Sequence, residues 1–149
     1  MKAINEMKFE FLSRSANESF ARVTVASFVS QLDPTVDELS DIKTAVSEAV
    51  TNAIVHAYKE DLGTIYIKVK MTADHRVIII IRDRGCGIEN VEQAMEPMYT
   101  TVNNGERSGL GFTVMQSFMD KVKVRSKVGV GTVITLEKRI NSRTISGGR

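Results

Sequence analysis

Glu48 and Asn52 stand four residues apart in the stretch SEAVTNAIVHAY, which covers residues 47–58. On a helix that spacing stacks them one turn above the other. A carboxylate and a carboxamide so placed can serve one site, the first handling a proton and the second offering an oxygen to a hard cation. A lone Glu/Asn pair is more often a solvated stripe, so the company it keeps matters. Asp83, Gly85 and Gly87 form an Asp-x-Gly-x-Gly turn, in which paired glycines permit backbone angles and close approaches that side chains would block. Ser108, Gly109, Leu110 and Gly111 open a further helix. Glycines at a helix start leave N–H groups accessible to a phosphate, which the helix dipole favours. Each motif alone is weak, since ordinary turns use the same residues.

The elements that must position these groups follow from periodicity. Met7, Phe9 and Phe11 alternate as in a half-buried strand. Ser15 and Glu18 have capping-box spacing ahead of a helix over 16–32, with Ala21, Val25, Phe28 and Leu32 on its core face and Arg14, Glu18 and Arg22 on the other. Asp33-Pro34 stops it. Thr35 and Glu38 form a second capping box, and Leu39, Ile42, Val46, Ala49 and Ala53 mark the stripe of a long helix reaching Lys59. Glu48 and Asn52 lie beside that stripe, at the edge of the core. His56 continues the same file and is read as a packing residue.

Ile65, Ile67, Val69 and Met71 alternate in a strand with one wet face, and 73–76 supply a turn. Val77 to Ile81 is a continuous β-branched run that suits a central strand covered on both sides and delivers Asp83 at its end. Periodicity fades between Glu89 and Arg107, as in a functional lid. Val114, Met115, Phe118 and Met119 give the next helix a core face. Val122 and Val124 begin a hairpin that turns at Gly129-Val130-Gly131 and returns through Val133 to Leu136, with Thr132 where the return strand starts. Residues 1–140 are expected to form one domain and 141–149 a tail with nothing to bury.

The chain has 149 residues, enough for one sizeable core, and its 20 basic and 18 acidic residues leave a net charge of +2. With no basic run interleaved with aromatics, direct nucleic-acid binding is not expected. A single cysteine, Cys86, permits no intrachain disulfide, and no zinc-type spacing occurs. The longest apolar run is too short to span a bilayer and the N-terminus lacks a signal-peptide core, so a cytoplasmic location away from membranes is expected.

The order of these motifs resembles the ATP-binding fold shared by gyrase B, ninety-kilodalton heat-shock chaperones, mismatch-repair ATPases and histidine kinases. Residues 47–136 carry the likeness. It implies a Bergerat-type α/β two-layer sandwich, a mixed but mainly antiparallel sheet with helices on one face. The run from Glu48 to Tyr58 is similar to the anti-sigma serine kinase branch, as are Asn17 to Arg22, Leu32-Asp33-Pro34, Thr100-Thr101 and Glu106 to Phe112. Members of the sporulation type hold an RNA polymerase sigma factor inactive and phosphorylate a serine of an anti-anti-sigma protein, which implies ATP or ADP, Mg2+ and a homodimer here.

Carried over, the resemblance makes Asn52 the Mg2+ ligand and Glu48 the base for the serine hydroxyl. Asp83 would accept from the adenine amino group, Gly85 and Gly87 would let backbone lie against the base, and Thr132 would support it. Thr100, Thr101, Ser108, Gly109, Leu110 and Gly111 would line the phosphates. Family lids often place a basic residue after the paired threonines; Val102 stands there in this chain, so Arg107 is the candidate replacement. Arg22 is the candidate for partner docking. Two other readings stay open: the ATP-binding half of a sensor histidine kinase, which would need a phosphoacceptor histidine beyond His56 and His75, and a non-catalytic, nucleotide-switched binding module.

Overall fold

A computed structural model describes residues 2–96 and 111–141. Five strands form one sheet: β1 (Ala3–Leu12), β2 (Thr64–Thr72), β3 (Arg76–Asp83), β4 (Lys121–Lys127) and β5 (Gly131–Arg139), in the order β1-β2-β3-β5-β4. Every pairing among the described residues is antiparallel, in keeping with the mainly antiparallel sheet expected. The helices α1 (Asn17–Val29), α2 (Val36–Asn52), α3 (Val91–Ala94) and α4 (Phe112–Phe118) complete the architecture. No helix among the described residues is long and apolar enough to cross a membrane.

Alternation decides which face of the sheet is covered. Ile65, Ile67, Val69, Val77, Ile79, Ile81, Ile134 and Leu136 are buried on one face against α2 and α4. Each such side chain contributes about 1.5–3 kcal/mol by leaving water. Ile78 and Ile80, on the opposite face of β3, remain partly exposed. The β-branched run is thus central in the sheet but covered on one side only. A run of four isoleucines hides the alternation because β propensity favours the same residue on both faces.

Ala45, Ala49 and Ala53 are fully or almost fully buried, and their small side chains let α2 lie close to the sheet. The second capping box forms as expected: Glu38 N donates to Thr35 Oγ1 at 3.0 Å and Thr35 N donates to Glu38 Oε1 at 2.8 Å. The first does not form. Ala16 already has helical backbone at the N-cap of α1, and Ser15 offers only its carbonyl to Glu18 N. The Glu18 carboxylate is engaged instead by Arg22 Nε at 3.1 Å and by the Ser47 hydroxyl of α2. The helix also ends earlier than periodicity implies, passing at Ser30–Leu32 into a 3-10 turn that stops at left-handed Asp33. Phe28 is only half-buried, and Ala26 and Val29 take the core positions in its place.

The long helix, expected to run to Lys59, changes character at Asn52. Ala53–Ala57 is a π-helical turn, closed by Tyr58 N on Ala53 O at 3.1 Å. At the far end, Phe112 is a fully buried core residue that the sequence pattern did not single out. Thr100, Thr101, Arg107, Ser108, Gly109 and Leu110 lie outside the described residues, as does the tail after Asn141.

Candidate functional site

Asn52 is the last residue of α2, one turn beyond Glu48, and is 3% exposed. Its Oδ1 has no hydrogen-bond partner among the described residues. An unpaired buried carbonyl costs about 1–3 kcal/mol, so this oxygen marks a place built for something else. It belongs to a hollow of about 140 Å³ lined by Asn52, His56, Ala57, Gly87, Ile88 and Thr132. Larger hollows, of about 480 and 740 Å³, lie on the open sheet face and between α1 and β1. Convergent buried polar groups, not size, single out the smallest.

The register of β3 and β5 places Asp83 opposite Thr132. Asp83 is 4% exposed and accepts two backbone N–H bonds on Oδ1, from Gly85 at 2.9 Å and Thr132 at 3.2 Å. Burial raises its pKa above the ordinary aspartate value, and the two N–H groups offset only part of that rise. Behind it, Thr132 Oγ1 and Ser126 Oγ are 2.8 Å apart. Ser126 also accepts from Ile88 N at 2.7 Å and donates to Gly131 O at 3.1 Å. Either hydroxyl of the Ser126–Thr132 pair can be the donor, so Thr132 Oγ1 can face a ligand as an acceptor or as a donor. A serine in a wet hairpin gives no sequence signal for this role.

Backbone proximity explains the glycines. A Cβ on Gly85 would stand 2.3 Å from Ala57 O, and one on Gly131 2.2 Å from Asp83 O. Gly87 has φ +81°, and a Cβ there would meet Lys127 O at 2.4 Å. The Asp83 loop is therefore pressed between the π turn of the second helix and the β4–β5 hairpin. Cys86 N donates to Ala57 O at 3.0 Å and Gly129 N to Cys86 O at 2.8 Å. Tyr58 fastens the same loop: its hydroxyl donates to Thr64 O at 2.6 Å and accepts from Arg84 N at 2.7 Å.

Glu48 meets the other end of the site. Gly111, the N-cap of α4, has φ +73°, and a Cβ on it would lie 2.5 Å from Glu48 Oε1. The carboxylate thus abuts the start of the helix that follows the Gly-x-Gly segment. His56, set aside in the sequence reading, lines the hollow one turn after Asn52. The i, i+4 spacing from Asn52 was the available signal. Burial first, and then the charge of Lys59, lower its pKa, so its neutral form prevails at pH 7. Arg22 is on α1, paired with Glu18, and is not part of this hollow. Among the described residues no three His, Cys, Asp or Glu side chains converge on a metal position. The donor set instead suits Mg2+, which keeps waters and phosphate oxygens and takes few protein ligands.

Comparison with known proteins fits this geometry. Residues 11–138 match the family described as histidine kinase-like ATPase domain. The anti-sigma F factor of Anoxybacillus flavithermus is 58% identical over 137 residues, covering 91% of this chain and 93% of that one. That of Bacillus subtilis is 56% identical over 138 residues, covering 92% and 94%. The chain belongs to the anti-sigma F factor family of histidine kinase-like ATPase domains. Among solved structures, the RsbU and RsbW domains of Rv1364c from Mycobacterium tuberculosis superpose with a TM-score of 0.68 at 18% identity, covering 91% of this chain and 32% of that one. At that identity the likeness concerns the fold: an antiparallel sheet carrying helices. On that fold this chain sets Asn52 at a helix end, Asp83 at a strand end and Thr132 at the start of β5.

Proposed function

We propose that this chain binds ATP or ADP with Mg2+ in the hollow beside Asn52, holds an RNA polymerase sigma factor inactive, and phosphorylates a serine of an anti-anti-sigma protein, so controlling sporulation transcription. The observation that carries the reading is the buried Asn52 Oδ1, without a hydrogen-bond partner among the described residues and one turn from Glu48. A carboxamide oxygen that borders this hollow and has no partner among the described residues suits a hard cation, and the residues present fit Mg2+ through Asn52 and the nucleotide's own phosphates. When bound, Mg2+ neutralises charge on the phosphoryl oxygens.

The residues divide the work by position. Asp83 takes the adenine amino group, Gly85 and Gly87 give the base a side-chain-free wall, and the Thr132 hydroxyl, held by Ser126, supports the same edge. Glu48 orients the serine hydroxyl and takes its proton. Gly111 leaves room for that carboxylate, and the stretch containing Thr100, Thr101, Arg107, Ser108, Gly109 and Leu110 covers the phosphates. Phosphoryl transfer rests mainly on in-line positioning and charge neutralisation, so no covalent enzyme intermediate is needed. Arg22, exposed enough to be reached and braced by Glu18, is the docking residue for protein partners. Homodimerisation is supported by the exposed Phe20 and Val23, 52% and 56% accessible, beside the Phe9–Phe11 cluster and the free edge of β1.

The deciding experiment is a transfer assay with the purified chain, Mg2+ and γ-labelled ATP, with and without the anti-anti-sigma protein of the same genome. Label on a partner serine supports the reading. Label on a histidine of this chain would favour a histidine kinase, and tight nucleotide binding without transfer would favour a switched sequestering module.

A further inference from the structure

We propose that the open face of the sheet, opposite the helices and away from the nucleotide hollow, docks an acidic amphipathic α-helix of a partner protein. Strand register builds the surface. Ile78 and Ile80 of β3 are partly exposed on this face, opposite Glu137 and Thr135 of β5, and Val133 of β5 lies diagonal to Ile80, so that the middle of the sheet offers a narrow aliphatic strip. Arg82 on β3 closes the end of this strip, and Lys68 and Lys70 on β2 stand along one side of it, opposite Ile80 and Ile78. Lys121, Lys123 and Arg125 on the exposed face of β4 stand along the other. The overall charge of +2 conceals this segregation.

Width and chemistry choose the occupant. From β2 to β4 is three strand spacings, about 14 Å. A helix with side chains is about 10–12 Å across, so it fits between the two cationic rows with its apolar face on the isoleucines. Acidic residues flanking that apolar face would then meet lysine or arginine on both sides. Glu6, Glu10 and Glu137 belong to the same face, but Glu6 contacts Lys68 at 3.7 Å, and Glu137 is held by Arg76 at 2.8 Å and by Lys121 at 4.0 Å. Lys70, Lys123 and Arg125 have no ion-pair partner among the described residues.

Other occupants fit less well. A second copy laid face to face would oppose like charges. The chain's residues 142–149 contain two arginines and no acid. Single-stranded nucleic acid is held by aromatic platforms, whereas Tyr66 already has the Arg82 and Arg84 guanidiniums 4.6 and 4.9 Å from its ring centre.

The test is binding of a fluorescein-labelled 18-residue peptide with leucine at i, i+3, i+4 and i+7 and glutamate flanking that stripe. A composition-matched scramble and an 18-nucleotide oligo(dT) serve as comparisons. The expected result is saturable, salt-sensitive binding of the designed helix, with amide shifts at Ile78, Ile80 and Val133. The scramble and oligo(dT) should bind at least about tenfold more weakly. Lys123→Glu with Arg125→Glu should weaken the designed helix by about tenfold at unchanged melting temperature. Ile80→Thr, which keeps β-branching, should weaken it without lowering the salt slope. Absence of binding, equal binding of the scramble, preference for oligo(dT), or shifts confined to α1 would each overturn the proposal.

Discussion

Replacing Asp83 with asparagine separates what the carboxylate does for the fold from what it does for the ligand. Both hydrogen bonds the carboxylate accepts fall on Oδ1, and an asparagine carbonyl can accept the same two N–H groups from Gly85 and Thr132. The substitution therefore keeps the turn and removes a buried charge. Because burial raises the folded-state pKa of Asp83, the native state binds more protons than the unfolded state between the ordinary aspartate value and the raised one. Stability then falls as pH rises through that window, and above it the penalty is fully present. The ligand-free variant is expected to melt no lower than the parent at pH 7 and to lose this segment of pH dependence.

Ligand binding should move the other way. A hydrogen bond to a charged acceptor contributes about 1.5–3 kcal/mol, and 1.4 kcal/mol is tenfold in affinity, so ATP and ADP should bind about 10- to 150-fold more weakly. The asparagine amide presents N–H where adenine also presents N–H. A purine with a carbonyl at that position accepts what adenine must donate against, so ITP should lose far less affinity than ATP, or gain. Calorimetric titration of ATP and ITP against parent and variant, with thermal melts at pH 4 to 8, measures both halves. Unchanged ATP affinity would refute the assignment of Asp83 to the base. A large drop in ligand-free melting temperature would show that the charge itself holds the turn.

Glu48→Gln should keep nucleotide affinity within a fewfold and lower transfer to the partner serine by about 10²–10⁴, the usual range for a positioned base, read by single-turnover phosphate transfer. Asn52→Ala removes a buried carbonyl that has no partner among the described residues, so the ligand-free protein should lose little stability while ATP binding becomes nearly independent of Mg2+, measured by titration with and without chelator. Gly111→Ala forces a side chain into left-handed backbone beside Glu48 Oε1, at a cost of about 1–2 kcal/mol, and kcat should fall more than nucleotide affinity. Arg22→Ala should weaken binding of the sigma factor or the anti-anti-sigma protein and leave nucleotide titrations unchanged.

Much of this was legible where one residue type can do only one thing. Thr35 and Glu38 name a capping box because both bonds are local. Ser15 and Glu18 have the same spacing but not the outcome, because tertiary partners from α2 and within α1 compete for the Glu18 carboxylate. The Asp83 turn could be located because glycine pairs at a strand end are constrained by backbone approach. The support it draws from Tyr58 through Arg84 N and from Ser126 through Ile88 N could not, because those bonds join segments distant in the chain. His56 was passed over since a half-buried histidine on a helix has many uses, and only the folded chain brings Gly87 and Thr132 against it.

The π turn at Ala53–Ala57 makes this part of the chain a counting device. Each helical residue advances the side-chain direction by about 100°, so one residue more or fewer changes the phase of everything downstream. Asn52 faces the hollow, and Tyr58, past the turn, must still aim its hydroxyl at Thr64 O and Arg84 N. Removing one residue between them would convert the wide turn to an ordinary one while leaving composition and hydrophobicity almost untouched. Tyr58 would then swing away from the Asp83 loop. A change of length in this segment therefore re-aims everything beyond it, which a substitution at its exposed Val55 would not do.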